Sequence, residues 1–290
     1  MPPTDRRPSA VVTGGGGGIG RAAAERFLRD GYAVVVGDLN PDRGRELIAD
    51  LDAGDHLRFL QVDVSVESDM EALVIHAVES HGGLDAMFNN AGIGGAFGPI
   101  TEQSVDEWDA TFAVNMRSVF LGTKHAARAM IAGGRGGSII NTASIAGSTG
   151  GGGPQAYSAT KAGVLSLTKT TAVELAQNRI RVNAVSPGAI YTELLHRGRP
   201  EFTDSWREQI QPWPERGTAE AIADVVAWLA SDESRFVTGT EVLADGGVIA
   251  AAPRLIDHDL AHLRTMTGMA WGNTGRPADV RHLPHDDSAT

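Results

Sequence analysis

Apolar residues along this chain fall into short runs separated by stretches patterned for helices. The first two runs are Ala10-Val11-Val12-Thr13 and Ala33-Val34-Val35-Val36. Others lie at Leu57–Val62, Leu84–Phe88, Ser138–Ala143, Arg181–Ser186 and Glu241–Ala244. They are apolar almost without a break, where a half-exposed strand would alternate, so both faces of these strands are expected to be covered. Helical patterns fill the intervals at Ala22–Leu28, Arg43–Leu51, Glu67–Ser80, Val105–Ile131, Tyr157–Gln177 and Ala219–Ala230. Strand and helix in turn predict an α/β protein built as a doubly wound parallel sheet, a single domain over residues 1–249. Ligands of such a sheet bind at the carboxyl ends of its strands.

The residues that follow the strands carry the candidate chemistry. Val11-Val12-Thr13 runs into the glycines Gly14 to Gly18, then into Ile19-Gly20-Arg21 and a helical pattern. Glycines at such a turn let the backbone approach a pyrophosphate, and the helix N-terminus offers it free N–H groups and a positive dipole end. The second strand ends at Asp38, whose carboxylate can accept hydrogen bonds from both ribose hydroxyls of an adenosine and would repel a 2′-phosphate. Leu39 follows, not a basic residue, and Arg43 is the nearest candidate phosphate clamp, so NAD is favoured over NADP. Asn40 and Pro41 can cap and start the next helix themselves, which leaves Asp38 for a ligand. Further along, Tyr157 and Lys161 stand at i and i+4 of a helical pattern, on one face. An ammonium beside a phenol favours the phenolate, so Lys161 is expected to lower the pKa of Tyr157 and make it an acid–base group.

Together these motifs resemble the short-chain dehydrogenase/reductase family, and further matches extend the resemblance over about residues 9–249. Asn89-Asn90-Ala91-Gly92 is similar to the family's N-N-A-G turn, and Asp63-Val64 to its adenine-contacting pair. Pro187-Gly188-Ala189-Ile190-Tyr191-Thr192 is similar to the loop over the nicotinamide. The resemblance implies a Rossmann fold, with Gly14, Gly17, Gly18, Ile19, Gly20, Asp38, Leu39, Asp63, Val64, Asn90, Ala91, Gly92, Pro187, Gly188, Ile190 and Thr192 at the cofactor. It implies catalysis by Asn115, Ser144, Tyr157 and Lys161. In that scheme Ser144 holds the substrate oxygen, Tyr157 exchanges the proton, Lys161 bonds the nicotinamide ribose and Asn115 fixes a water that links Lys161 to solvent. The Tyr-to-Lys spacing is shorter than in the family's enoyl reductases. Family members are commonly tetramers, which makes a homotetramer the expectation here.

Composition narrows the rest. The 290 residues include no cysteine, so disulfide and thiol chemistry are out, and a net charge of −11 argues against nucleic acid as a partner. No apolar run is long enough to span a membrane and no leader pattern precedes the first strand, so a cytoplasmic protein is expected. Residues 193–214 are the expected substrate lid, with Leu194, Trp206 and Trp213 as apolar substrate contacts beside Ser144 and Tyr157. With the small residues from Gly147 to Gly153, that lining suggests a hydrophobic, cyclic secondary alcohol or ketone such as a hydroxysteroid or terpenoid alcohol. The alternatives are an NADPH-dependent ketone or 3-oxoacyl carrier-protein reductase and, in another class, a dinucleotide-binding sensor without turnover. Residues 250–290 exceed the family's usual length. Leu255, Ile256, Leu260, Leu263, Met266, Met269 and Trp271 there are partly at helical spacing and are expected to pack at a subunit interface. From Pro277 the tail is polar and expected to be loosely ordered. His258 with His262, and His282 with His285 and Asp286, make no convincing ligand set, and no metal is expected.

Overall fold

The computed structural model describes residues 6–196, 208–251, 266–269 and 279–282. Seven parallel strands form one sheet in the order β3-β2-β1-β4-β5-β6-β7. They are β1 (Ser9–Thr13), β2 (Ala33–Asp38), β3 (Leu57–Gln61), β4 (Ala86–Asn89), β5 (Gly137–Thr142), β6 (Ile180–Pro187) and β7 (Glu241–Ala244). The chain turns back after β3, so β1 and β4 become neighbours and a crevice opens beyond their carboxyl ends.

The strands are apolar throughout because neighbouring residues feed two cores. In β1, Val12 joins a cluster with Phe27, Val34, Val36, Leu47 and Phe88, whereas Val11 joins Val35, Leu73, Met87 and Ile139 on the other side. Both sets are buried, and each large side chain contributes on the order of 1.5–3 kcal/mol of burial. Helix α1 (Gly18–Arg29) packs on α8 (Ala219–Ala230) over the first face. Helix α3 (Glu67–His81) packs on α5 (Ser118–Gly133) over the second. Helix α2 (Pro41–Leu51) starts as its sequence predicts: the Asn40 side chain accepts hydrogen bonds from the N–H groups of Asp42 and Arg43, with Pro41 at the first helical position.

The long helix expected over Val105–Ile131 is interrupted. Helix α4 (Val105–Phe112) gives way to a π-helical turn at Ala113–Arg117 before α5, and the Ser118 N–H reaches back to the Ala113 carbonyl. Asn115 stands in the middle of that turn and is fully buried. Helix α6 (Gln155–Leu175) and the short α7 (Glu193–His196) complete the surroundings of the site.

Residues up to Ala250 form one compact unit and residues 251–290 a second. In the second, Met266–Met269 pairs antiparallel with Asp279–His282. This corrects the helical reading of Met266 and Met269. Met266 and Met269 lie in a strand, because the intervening Thr267 and Gly268 are weak helix formers. Residues 279–282 form its partner strand. Leu255, Ile256, His258, Leu260, His262, Leu263, Trp271, His285 and Asp286 lie outside the described residues, as does Trp206.

Candidate active site

The strand ends converge on a cavity of about 540 Å³. Its wall includes Gly14, Gly17, Gly18 and Ile19 after β1, Asp38, Leu39 and Arg43 after β2, and Asp63 and Val64 after β3. Asn90, Ala91, Gly92 and Ile93 follow from β4, and Ser144 and Ile145 from β5. Tyr157 and Lys161 come from α6, and Pro187, Gly188, Ile190, Thr192, Leu194 and Leu195 from the segment after β6. Two of the candidate cofactor and catalytic residues do not reach the wall. Gly20 lies behind the turn, where a Cβ would stand 2.2 Å from the Gly14 carbonyl oxygen. Asn115 is fully buried behind Gly92.

The first turn binds through backbone. Gly14 and Gly18 have φ of +63° and +50°, a region closed to most side chains. Helix α1 opens on Gly17 with no side-chain cap and no acidic residue in its first turn, so its N–H groups and dipole face the cavity unanswered. A dinucleotide pyrophosphate fits such an end. Thr13 Oγ1 accepts the N–H groups of Asn90 and Ala91 at 2.9 and 3.2 Å, which ties the end of β1 to the loop after β4. Asn90 Nδ2 donates to the Thr13 carbonyl at 3.1 Å.

Asp38 is a carboxylate held by backbone. Its Oδ2 accepts from the Gly16 N–H at 2.9 Å and its Oδ1 from the Asn40 N–H at 3.0 Å. Arg43 does stand near the glycine turn, but its guanidinium bonds Glu193 Oε2 at 2.6 Å. Asp63 Oδ1 accepts from the N–H and hydroxyl of Ser65 at 2.9 and 2.7 Å.

Ser144 lies two residues beyond β5 in extended backbone and caps a single 3-10 turn, Ile145–Gly147, by accepting the Ala146 N–H at 3.2 Å. The Lys161 side chain is 3% exposed; its Nζ donates to the Thr142 carbonyl at 2.7 Å and lies 5.5 Å from the Tyr157 ring centre. Burial lowers the Lys161 pKa to about 8. Burial also pushes the Tyr157 phenol up, and a hydrogen bond to Ser144 draws it back down. The expected lowering of Tyr157 by Lys161 is therefore not what the protein alone displays. The ammonium faces a backbone carbonyl, and desolvation outweighs any help to the phenolate. Asn115 Nδ2 donates to the Ile93 carbonyl and its Oδ1 accepts the Ile93 N–H, both at 2.8 Å. Asn115 Oδ1 and Lys161 Nζ stand 3.3 and 3.8 Å from where a Cβ on Gly92 would be, so a side chain there would press on Asn115.

Of the three expected substrate contacts in the lid, Leu194 lines this cavity. Trp213 does not. Its N–H donates to the Gly246 carbonyl, and its carbonyl accepts from Gln211 Nε2, which anchors it beside a different cavity near β7. Ile93, Glu193 and the Thr142 carbonyl were not singled out from sequence. Their one signal is their place at or soon after a strand end, or at the start of the lid.

The family described as enoyl-(acyl carrier protein) reductase matches residues 15–249. (+)-Borneol dehydrogenase 2 of Salvia officinalis is 39% identical over 249 residues, 82% of this chain and 88% of the relative. 3beta-Hydroxysteroid dehydrogenase 2 of Eggerthella lenta is 38% identical over 247 residues, 82% of this chain and 94% of the relative. The crystal structure of levodione reductase superimposes with a TM-score of 0.78 at 36% identity, covering 84% of this chain and 98% of that one.

Proposed function

The chain belongs to the short-chain dehydrogenase/reductase family and is an oxidoreductase, and we propose that its cofactor is NAD and its substrate a hydrophobic cyclic secondary alcohol. The observation that carries this reading is the convergence of Ser144, Tyr157 and Lys161 on the cavity that Asp38 also lines. When bound, the nicotinamide supplies the hydride acceptor in oxidation and the donor in reduction. Ser144 orients the substrate oxygen toward Tyr157. In oxidation the Tyr157 phenolate takes the hydroxyl proton as the carbinol hydride leaves; in reduction the phenol returns it. With the cofactor bound, Lys161 would hydrogen-bond its nicotinamide ribose and stabilise the Tyr157 phenolate. Asn115 carries the water that returns the proton to solvent.

Asp38 supports NAD, because a fixed carboxylate beside the ribose repels a 2′-phosphate, and Glu193 holds Arg43 in an ion pair. The names of the relatives and the Leu194, Leu195 and Ile145 lining support the cyclic alcohol. The spacing of Tyr157 and Lys161 favours carbonyl over enoyl chemistry. The same reading places the enzyme in the cytoplasm as a homotetramer.

Nicotinamide fluorescence titration tests the cofactor: NADH is expected to bind at least tenfold more tightly than NADPH, and Asp38→Ser to narrow that gap. Turnover of bicyclic and steroid alcohols tests the chemistry. Tyr157→Phe is expected to lower kcat by roughly 10²–10⁴-fold with NADH affinity unchanged. Tighter NADPH binding would put the reductase alternative first, and undiminished turnover in Tyr157→Phe would end the acid–base assignment.

A further inference from the structure

Away from the reacting atoms, one carboxylate joins the two loops that enclose the nicotinamide end of the cavity. Glu241 opens β7, and its Oε1 accepts the hydroxyl of Ser186 at 2.6 Å. The same carboxylate accepts the hydroxyl of Ser148, at 3.0 Å to Oε1 and 3.3 Å to Oε2. Ser186 is fully buried and directly precedes Pro187. Ser148 ends the 3-10 turn that Ser144 begins.

That turn has little freedom on its inner side. A Cβ at Gly147 would stand 2.7 Å from the Lys161 carbonyl carbon, so the turn lies directly on the α6 backbone at Lys161. Its outer end has fewer ties. Ser148 is exposed, and the four residues after it are Thr149 and three glycines, which supply little stiffness. Thr149 Oγ1 bonds back only to Ile145, within the same turn. Glu241 is therefore the link between this turn and the sheet at its outer end, and it reaches Ser186 at the root of the other loop.

We infer that Glu241 is a positioning residue. Through Ser148 it holds the Ser144 turn against α6, and through Ser186 it keeps that turn in register with the loop at Pro187. The inference rests on the reaction assigned to Ser144, Tyr157 and Lys161. Its chemistry is charge-assisted: one carboxylate accepts from two hydroxyls, and such bonds are roughly twice as strong as neutral ones. Glu241→Gln keeps the volume and one acceptor oxygen but removes the charge, so the bonds from Ser148 and Ser186 fall to the strength of neutral ones.

The test is a double-mutant cycle on Glu241→Gln and Ser148→Ala, with kcat, alcohol KM and NADH affinity measured on the full chain. Each single variant is expected to lower kcat about tenfold with NADH affinity within twofold, since the adenosine half of the cavity is untouched. The double variant is expected to be no worse than the worse single, and Ser148→Thr, which keeps the hydroxyl, to restore kcat. Independent effects that multiply, or a lowered melting temperature with unchanged kcat, would overturn the inference.

Hydrogen exchange gives a readout that does not depend on substrate. In both single variants the amides of Ala146–Ser148 should exchange faster while those of α1 stay unchanged. Unchanged exchange at the turn would overturn the inference by itself. A wild-type protein that shows this exchange pattern but turns over no alcohol would count against the proposed function and leave the Glu241 anchor standing.

Discussion

At the scale of single residues, Lys161 is the costliest group in the site. It is buried, it has the Thr142 carbonyl as its acceptor, and its pKa falls from 10.5 to about 8 because burial penalises the ammonium. The sign follows from linkage. Below about pH 8 the lysine is charged in both folded and unfolded chains, and the full desolvation cost stands. Between about 8 and 10.5 the folded form has released its proton and the unfolded form has not, so the cost fades as pH rises. Lys161→Met should therefore be more stable than the wild type at pH 6–7, by up to about 3 kcal/mol at 1.36 kcal/mol per pKa unit. The advantage should shrink through pH 8–10 in thermal melts read by circular dichroism. A variant less stable than wild type at pH 6 would show that the Thr142 bond outweighs the burial. The spacing of Tyr157 and Lys161 was legible in the sequence. Which partner the ammonium faces was not, because the Thr142 carbonyl comes from β5, a different stretch of chain.

At the scale of elements, the turn between β1 and α1 is tightly constrained backbone. A Cβ on Gly20 would meet the Gly14 carbonyl oxygen at 2.2 Å and Asn90 Nδ2 at 2.7 Å, and the first of these cannot rotate away. Gly20→Ala should cost about 1–3 kcal/mol by overpacking. It should weaken NADH binding more than tenfold, because the turn must open to accept the methyl. An NADH titration and a melt check both, and unchanged affinity would show that the turn has slack. The glycine run and the helix after it could be read from local pattern. The π-helical turn at Ala113–Arg117 could not, since Val105–Ile131 carries a helical pattern throughout. What selects that turn is Asn115 bonding both backbone groups of Ile93, and those lie 22 residues earlier in the chain.

At the scale of the whole molecule, the unit ending at Ala250 holds both faces of the sheet and every described residue of the cavity. A chain cut after Ala250 should therefore melt cooperatively and bind NADH within twofold of the full protein. Loss of binding on truncation would show that residues 251–290 complete the cofactor domain. Sedimentation of the two chains side by side reads what the tail adds to assembly. The seven strands of the parallel sheet, the alternation of strand and helix and the identity of the strand-end residues were determined by the sequence alone. Each depends on local pattern: unbroken apolar runs for strands, period 3.6 for helices, glycine where φ must be positive, and a capping Asn before Pro41. Tertiary structure decided what those residues meet. It turned Lys161 toward Thr142, paired Arg43 with Glu193, anchored Trp213 away from the cavity and linked Ser148 to Ser186 through Glu241. All of these join distant stretches of chain, so they exist only once the sheet brings its strand ends to one edge.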